Sequence, residues 1–105
     1  MKEYDLILPI KKKWFDMILS GEKKEEYRDM KPFYDKRIEN ILQKKYGEIS
    51  QPSVEMDIKF KNGYGKEAPS FISHCKVFKR LGGNINWGAT PNKWYYVFEI
   101  LEVQE

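Results

Sequence analysis

Cysteine is almost missing from this chain. Cys75 is the only one, so no internal disulfide forms and no thiolate metal cluster assembles. It reads as a buried thiol in a reducing compartment. Its neighbour His74 is the only histidine. Adjacent residues on a strand point to opposite faces, which argues against a Cys–His pair. Long apolar runs are also missing. The stretch 6–10 is short and holds Pro9, whereas a membrane helix needs roughly 20 apolar residues. No secretory leader pattern is visible. Strong charge of one sign is absent too. Nineteen Lys and Arg against 16 Asp and Glu leave +3, with a pI near 8.9. That balance permits a polyanionic partner without demanding one. There is no internal repeat and no low-complexity segment. These absences point to a soluble cytoplasmic protein with no membrane partner, and no metal or cofactor is expected.

What is present is charge and aromaticity. Charged residues make up 33% of the 105, which demands a densely ionic surface. Aromatics at 15% and hydrophobics at 41% suit a compact fold rather than a disordered tail. At this length the whole chain, 1–105, reads as one domain with a modest core.

Elements follow from periodicity and punctuation. "DLILPI" reads as a short buried strand, with Pro9 near its end or at a sheet edge. In "KKKWFDMILSG", Trp14, Met17 and Ile18 recur at helical spacing and Gly21 stands where a helix terminator belongs. A helix is therefore expected from residue 11 or 12 to residue 20. "KKEEYR" reads as a strand. "KPFYDKRIENILQKK" places Pro32 at a helix start, with Tyr34, Ile38, Ile41 and Leu42 on one face and Gly47 as terminator. Val54, Met56, Ile58 and Phe60 alternate with charged residues on a half-buried strand. Asn62-Gly63 marks a turn, and "SFISHCKVFKRL" returns as a strand. Residues 82–92 are turn-rich. "KWYYVFEILEV" is apolar on both faces, as a central or barrel strand requires. The strands of the second half do not alternate with helices, which argues against a doubly wound parallel sheet. The expected fold is α+β, a small mixed sheet curled into a partly open barrel with two helices over its ends.

Two stretches carry unusual charge. Lys11, Lys12 and Lys13 open the first helix, where positive charge opposes the helix dipole. One reading is a phosphate contact, chiefly by Lys12 or Lys13; the other is three solvated lysines. In "SGEKKEEYRDM" only Tyr27 is uncharged between Glu22 and Asp29. Ideal alternation puts Lys24, Glu26 and Arg28 on one face and Lys23, Glu25 and Tyr27 on the other. A solvated strand explains this pattern. So does a site in which flanking cations hold the Glu26 carboxylate ionised and oriented.

The segment "ILSGEKKEEYR" resembles the signature of the ASCH domain family, which has a PUA-like fold. Gly21, Lys23, Glu26 and Arg28 match it, while Lys24 stands where the family often has Thr. The opening "LPIKKKWFDMIL" is similar to the family's first strand and helix. The likeness covers residues 6–28 and, as the closing strand, 94–103. It implies a PUA-like partly open barrel that binds RNA, or a modified nucleoside or nucleotide, in a polar cleft beside this motif. Lys23, Glu26 and Arg28 would line that cleft. Some members are amidohydrolases that deacetylate N(4)-acetylcytidine, and their motif lysine corresponds to Lys23. Were this chain such an enzyme, Lys23 and Glu26 would be its catalytic pair. A third reading is a protein-interaction module using the charged strand as a paired surface.

A nucleobase pocket needs flat apolar surface and a few polar groups. Tyr64 and Trp87, both in glycine-rich loops, are candidates for stacking on a base or for anchoring their loops. "KNGYG" lets the backbone approach a ligand closely at Asn62 and Tyr64. Trp14, Phe15, Phe60, Tyr96 and Phe98 are assigned to the core by pattern. Trp94 and Tyr95 fit either role.

Overall fold

Strict alternation organises the centre of the chain. Val54, Met56, Ile58 and Phe60 are buried, and the residues between them are partly or fully exposed. This comes from a computed structural model, which describes residues 3–47 and 53–104. The elements in order are β1 (Leu6–Ile10), α1 (Lys12–Leu19), β2 (Glu25–Asp29), α2 (Pro32–Tyr46), β3 (Ser53–Asn62), β4 (Ser70–Leu81) and β5 (Trp94–Gln104). They match the order read from the sequence. A 3-10 turn, Ile85–Trp87, interrupts the loop before β5.

The five strands form one mixed sheet in the order β1-β3-β4-β5-β2. β1 runs parallel to β3, and the other pairs are antiparallel. β5 joins the same sheet as β3 through β4, and the sheet curls into a half-barrel. A register shift between His74 and Cys75 helps it bend, since a bulge sharpens local twist. β1 and β2 are the two free edges. Pro9 lies on β1, where a residue without an N–H is tolerated.

The second helix is started and stopped by its own residues. Pro32 begins α2, Asp35 lies in its first turn, and Lys44 and Lys45 lie in its last, all in accord with the helix dipole. Gly47 ends it in a left-handed conformation, its N–H bonded to the Gln43 carbonyl. The N-terminus of α1 has neither a side-chain cap nor an acidic residue. Its stability comes from Phe15 and Ile18, which pack with Ile38 and Leu42 of α2 against one face of the sheet. Fully buried residues such as Phe60 and Phe98 contribute about 1.5–3 kcal/mol each.

The other face of β5 is covered as well, which explains why both faces read as apolar. Tyr27, Ala89, Tyr95 and Val97 form a second cluster, with Phe78 and Trp87 against it. Two phenols pin the loop 82–93 over this face. The Tyr27 hydroxyl accepts from the Asn84 N–H at 2.9 Å, and the Tyr95 hydroxyl accepts from the Thr90 N–H at 2.8 Å. Burial, reinforced by the Glu25 carboxylate, pushes the Tyr27 phenol up to about 12, so it stays protonated.

Cys75 and His74 do face apart. Cys75 is enclosed, and burial pushes its thiol up to about 12, which makes it a poor nucleophile. His74 lies on the wet face between Asp57 (2.9 Å) and Glu55 (2.7 Å). These carboxylates, Asp57 first, raise its pKa above 6.5. A raised folded-state value means that the stabilisation is complete below pH 6.5 and is lost as pH rises through the folded pKa. As the only histidine, it gives one imidazole titration by NMR. That midpoint is expected above 6.5, and His74→Gln is expected to flatten the fall in stability over the same range. A midpoint at or below 6.5 contradicts this carboxylate clamp.

Candidate binding cleft

The charged run begins with a reversal. Gly21 has φ +84, a left-handed conformation that a side chain would strain. The chain turns back there, and the Lys23 N–H bonds to the Met17 carbonyl at 2.9 Å. This tucks the Lys23 side chain beneath α1. Its exposure is 1%, one of the lowest in the protein. The ammonium donates to the Trp87 carbonyl at 2.6 Å and pairs with Glu26 Oε1 at 3.0 Å. It also lies 4.2 Å from the centre of the Trp14 ring. Burial lowers the Lys23 pKa, and the Glu26 charge opposes that fall.

Glu26, 5% exposed, faces a second cation on its other oxygen. Arg28 donates to Oε2 from Nε at 3.2 Å and from Nη2 at 3.0 Å. Arg28 Nη2 also donates to the Pro9 carbonyl at 2.6 Å, and Nη1 donates to the Tyr34 hydroxyl at 2.9 Å. Pro9 is on β1 and Arg28 on β2, so one guanidinium spans the open seam of the half-barrel and reaches α2 too. Four of its five N–H donors are used in this way. No side-chain polar atom buried among the described residues lacks a partner.

A cleft of about 540 Å³ opens at this seam. Its floor includes Glu26 and Arg28. Pro9, Ile10, Lys11 and Trp14 bound one side, Lys31 and Tyr34 another, and the turn Asn62, Gly63 and Tyr64 a third. The Gly63 N–H bonds to the Ile10 carbonyl at 3.1 Å, which fixes that turn against the end of β1. Tyr64 is 87% exposed at the rim.

Of the residues singled out in the sequence, Glu26, Arg28, Asn62 and Tyr64 meet at this cleft. Lys12, Lys13, Lys23 and Trp87 do not line it. Lys12 pairs with Asp16 at 2.6 Å on the outer surface, and Lys13 lies over Trp14. Lys11 is the extended residue just before α1, and it lines the cleft together with Trp14. The Trp87 ring packs on the second cluster, and its carbonyl serves Lys23. Trp14, assigned to the core by pattern, does pack against the core cluster, but it is half-buried and also lines the cleft. The facing of the charged run also changes. β2 starts at Glu25, so Lys23 and Lys24 lie before it and escape strand alternation; Lys24 is exposed and Lys23 joins Glu26. Tyr34 and Lys31, which also line the cleft, were not singled out in the sequence, and Lys11 only as one of three lysines.

Glu25 serves a different pair on the other face. Arg80 donates to its two oxygens at 2.6 and 3.0 Å, and Tyr27 donates at 2.6 Å. The Arg80 bonds hold the Glu25 carboxyl below its usual range. Among the described residues no group of three or more His, Cys, Asp or Glu is placed to hold a metal ion, and no helix is long and apolar enough to cross a membrane.

No family model, curated protein or solved structure matches the chain.

Removing Glu26 leaves two cations facing each other without their shared anion. Glu26→Ala is expected to lower stability by about 3–5 kcal/mol. Glu22→Ala, on an exposed residue of the same run, is expected to stay within about 0.5 kcal/mol. Urea unfolding of both variants measures the difference. Equal, small effects would mean that the run is a solvated surface.

Proposed function

We propose that the seam cleft binds a nucleobase-bearing ligand, RNA or a nucleotide, and that the chain is an ASCH-type, PUA-like domain. The observation that carries this reading is a desolvated Glu26–Arg28 pair on the floor of a cleft walled by Trp14, Tyr34 and Tyr64. A base has apolar faces and polar edges, so it needs aromatic walls and a few fixed donors and acceptors. Arg28 keeps one Nη1 hydrogen, and the Tyr34 hydroxyl, which accepts from Arg28, keeps its own hydrogen to donate. The Asn62 amide supplies both kinds of group. Lys11 has no ion-pair partner among the described residues and stands with Lys31 at the cleft edge, where a phosphate would be attracted. The resemblance of Gly21, Lys23, Glu26 and Arg28 to the family signature supports the same reading. A buried, reduced Cys75 accords with a cytoplasmic setting.

The lowered pKa of Lys23 favours a second reading, an amidohydrolase acting on an acylated nucleoside such as N(4)-acetylcytidine. Its geometry weighs the other way. The amine is engaged by Trp87, Glu26 and the Trp14 ring and does not border the cleft. In this arrangement Lys23 orients Glu26, and Glu26 orients Arg28.

Isothermal titration with nucleosides, nucleotides and single-stranded RNA tests the proposal. Binding is expected, and Tyr64→Ala is expected to weaken it about tenfold, within the usual value of one stacked base. Lys11→Ala is expected to reduce the slope of log affinity against log salt by about 1, and Lys12→Ala to leave it unchanged. Failure of every such ligand to bind at low salt would overturn the reading. Acetate release from N(4)-acetylcytidine would move the assignment to the hydrolase.

A further inference from the structure

Phe33 is the second residue of α2 and is 59% exposed. It belongs to neither hydrophobic cluster, so core packing does not account for it. Its ring lies edge-on to Tyr34, with centroids 5.1 Å apart. Tyr34 is a cleft wall and the partner of Arg28. The Arg37 guanidinium lies 5.2 Å from the Phe33 centroid. Lys36 and Arg37 are three and four residues further on, so both flank Phe33 on the helix surface. Neither has an ion-pair partner among the described residues. Lys31 joins this group to the cleft rim. An exposed aromatic ring bordered by unpaired cations, continuous with a cleft, is the combination that holds a single strand through stacking and phosphate attraction.

We propose that Phe33 and Arg37 form a second base subsite, where the nucleobase next to the one in the cleft stacks on Phe33. Arg37 and Lys36 then face the phosphate that joins the two nucleotides. The ligand class is a single-stranded oligonucleotide of at least two residues, rather than a free nucleoside. This rests on the base-binding reading of the cleft.

The test compares the affinity of AMP, the dinucleotide ApA and an oligoadenylate for the intact chain, its Phe33→Ala and Phe33→Trp variants, and Arg37→Gln. Phe33 is outside the core, so both Phe33 variants are expected to fold, as circular dichroism would verify. ApA is expected to bind about tenfold more tightly than AMP, the usual size of one stacking contact. Phe33→Ala should abolish that gain and leave AMP affinity unchanged, Phe33→Trp should keep it, and Arg37→Gln should reduce it. No gain from the second base overturns the subsite, as does a gain that survives Phe33→Ala. If neither AMP nor the longer ligands bind, the cleft reading fails and the subsite with it.

Discussion

One carboxylate held between two cations governs how the free edges of this sheet meet. Glu26 takes Lys23 on one oxygen and Arg28 on the other, almost fully out of water. A lone buried charge costs several kcal/mol, so the three groups stand or fall together. Arg28 then bonds to the Pro9 carbonyl of β1 and to the Tyr34 hydroxyl of α2. A half-barrel whose edge strands do not pair with each other is thus joined by side-chain atoms. The seam closes at one point and stays open beside it, and the open part is the cleft. Structure and candidate site are the same set of bonds.

The two carboxylates at 25 and 26 show how alternation divides labour. Glu26 faces the seam, and Glu25 is held by Arg80 and Tyr27 on the opposite side. The second arrangement locks the loop 82–93, because Tyr27 also receives the Asn84 N–H. That loop delivers the Trp87 carbonyl to Lys23. The outer cluster therefore supports the inner network, and the aromatic residues of the loop act through the backbone they fix.

Much of the fold was legible because its signals are local. Period-two burial from Val54 to Phe60, Pro32 and Gly47 at the ends of α2, and two apolar faces on β5 each specify an element without reference to the rest. At the cleft, Glu26, Arg28, Asn62 and Tyr64 were found from the charged run, its family resemblance and the glycine-rich turn. Others were hidden for physical reasons. Trp14 has the spacing of a core residue, yet one side of its ring covers Lys23 and the residue borders the cleft. Lys11 was weighed with Lys12 and Lys13 as one basic cluster, and nothing local singles it out, because it is the extended residue before α1. Lys23 was misplaced because strand alternation was extended past the strand's start. Tyr34 carries its role through a hydroxyl bonded to Arg28, a contact that no sequence period reports.

Under the proposed function, a ligand is recognised at the seam joined by Arg28. Backbone amide NMR of the intact chain, titrated with a short single-stranded RNA, tests it most directly. Shifts are expected at Ile10, Lys11 and Trp14, from Arg28 through Arg37, and at Asn62, Gly63 and Tyr64. Shifts centred instead on Glu25, Arg80 and the loop 82–93, or no shifts at all, would contradict it.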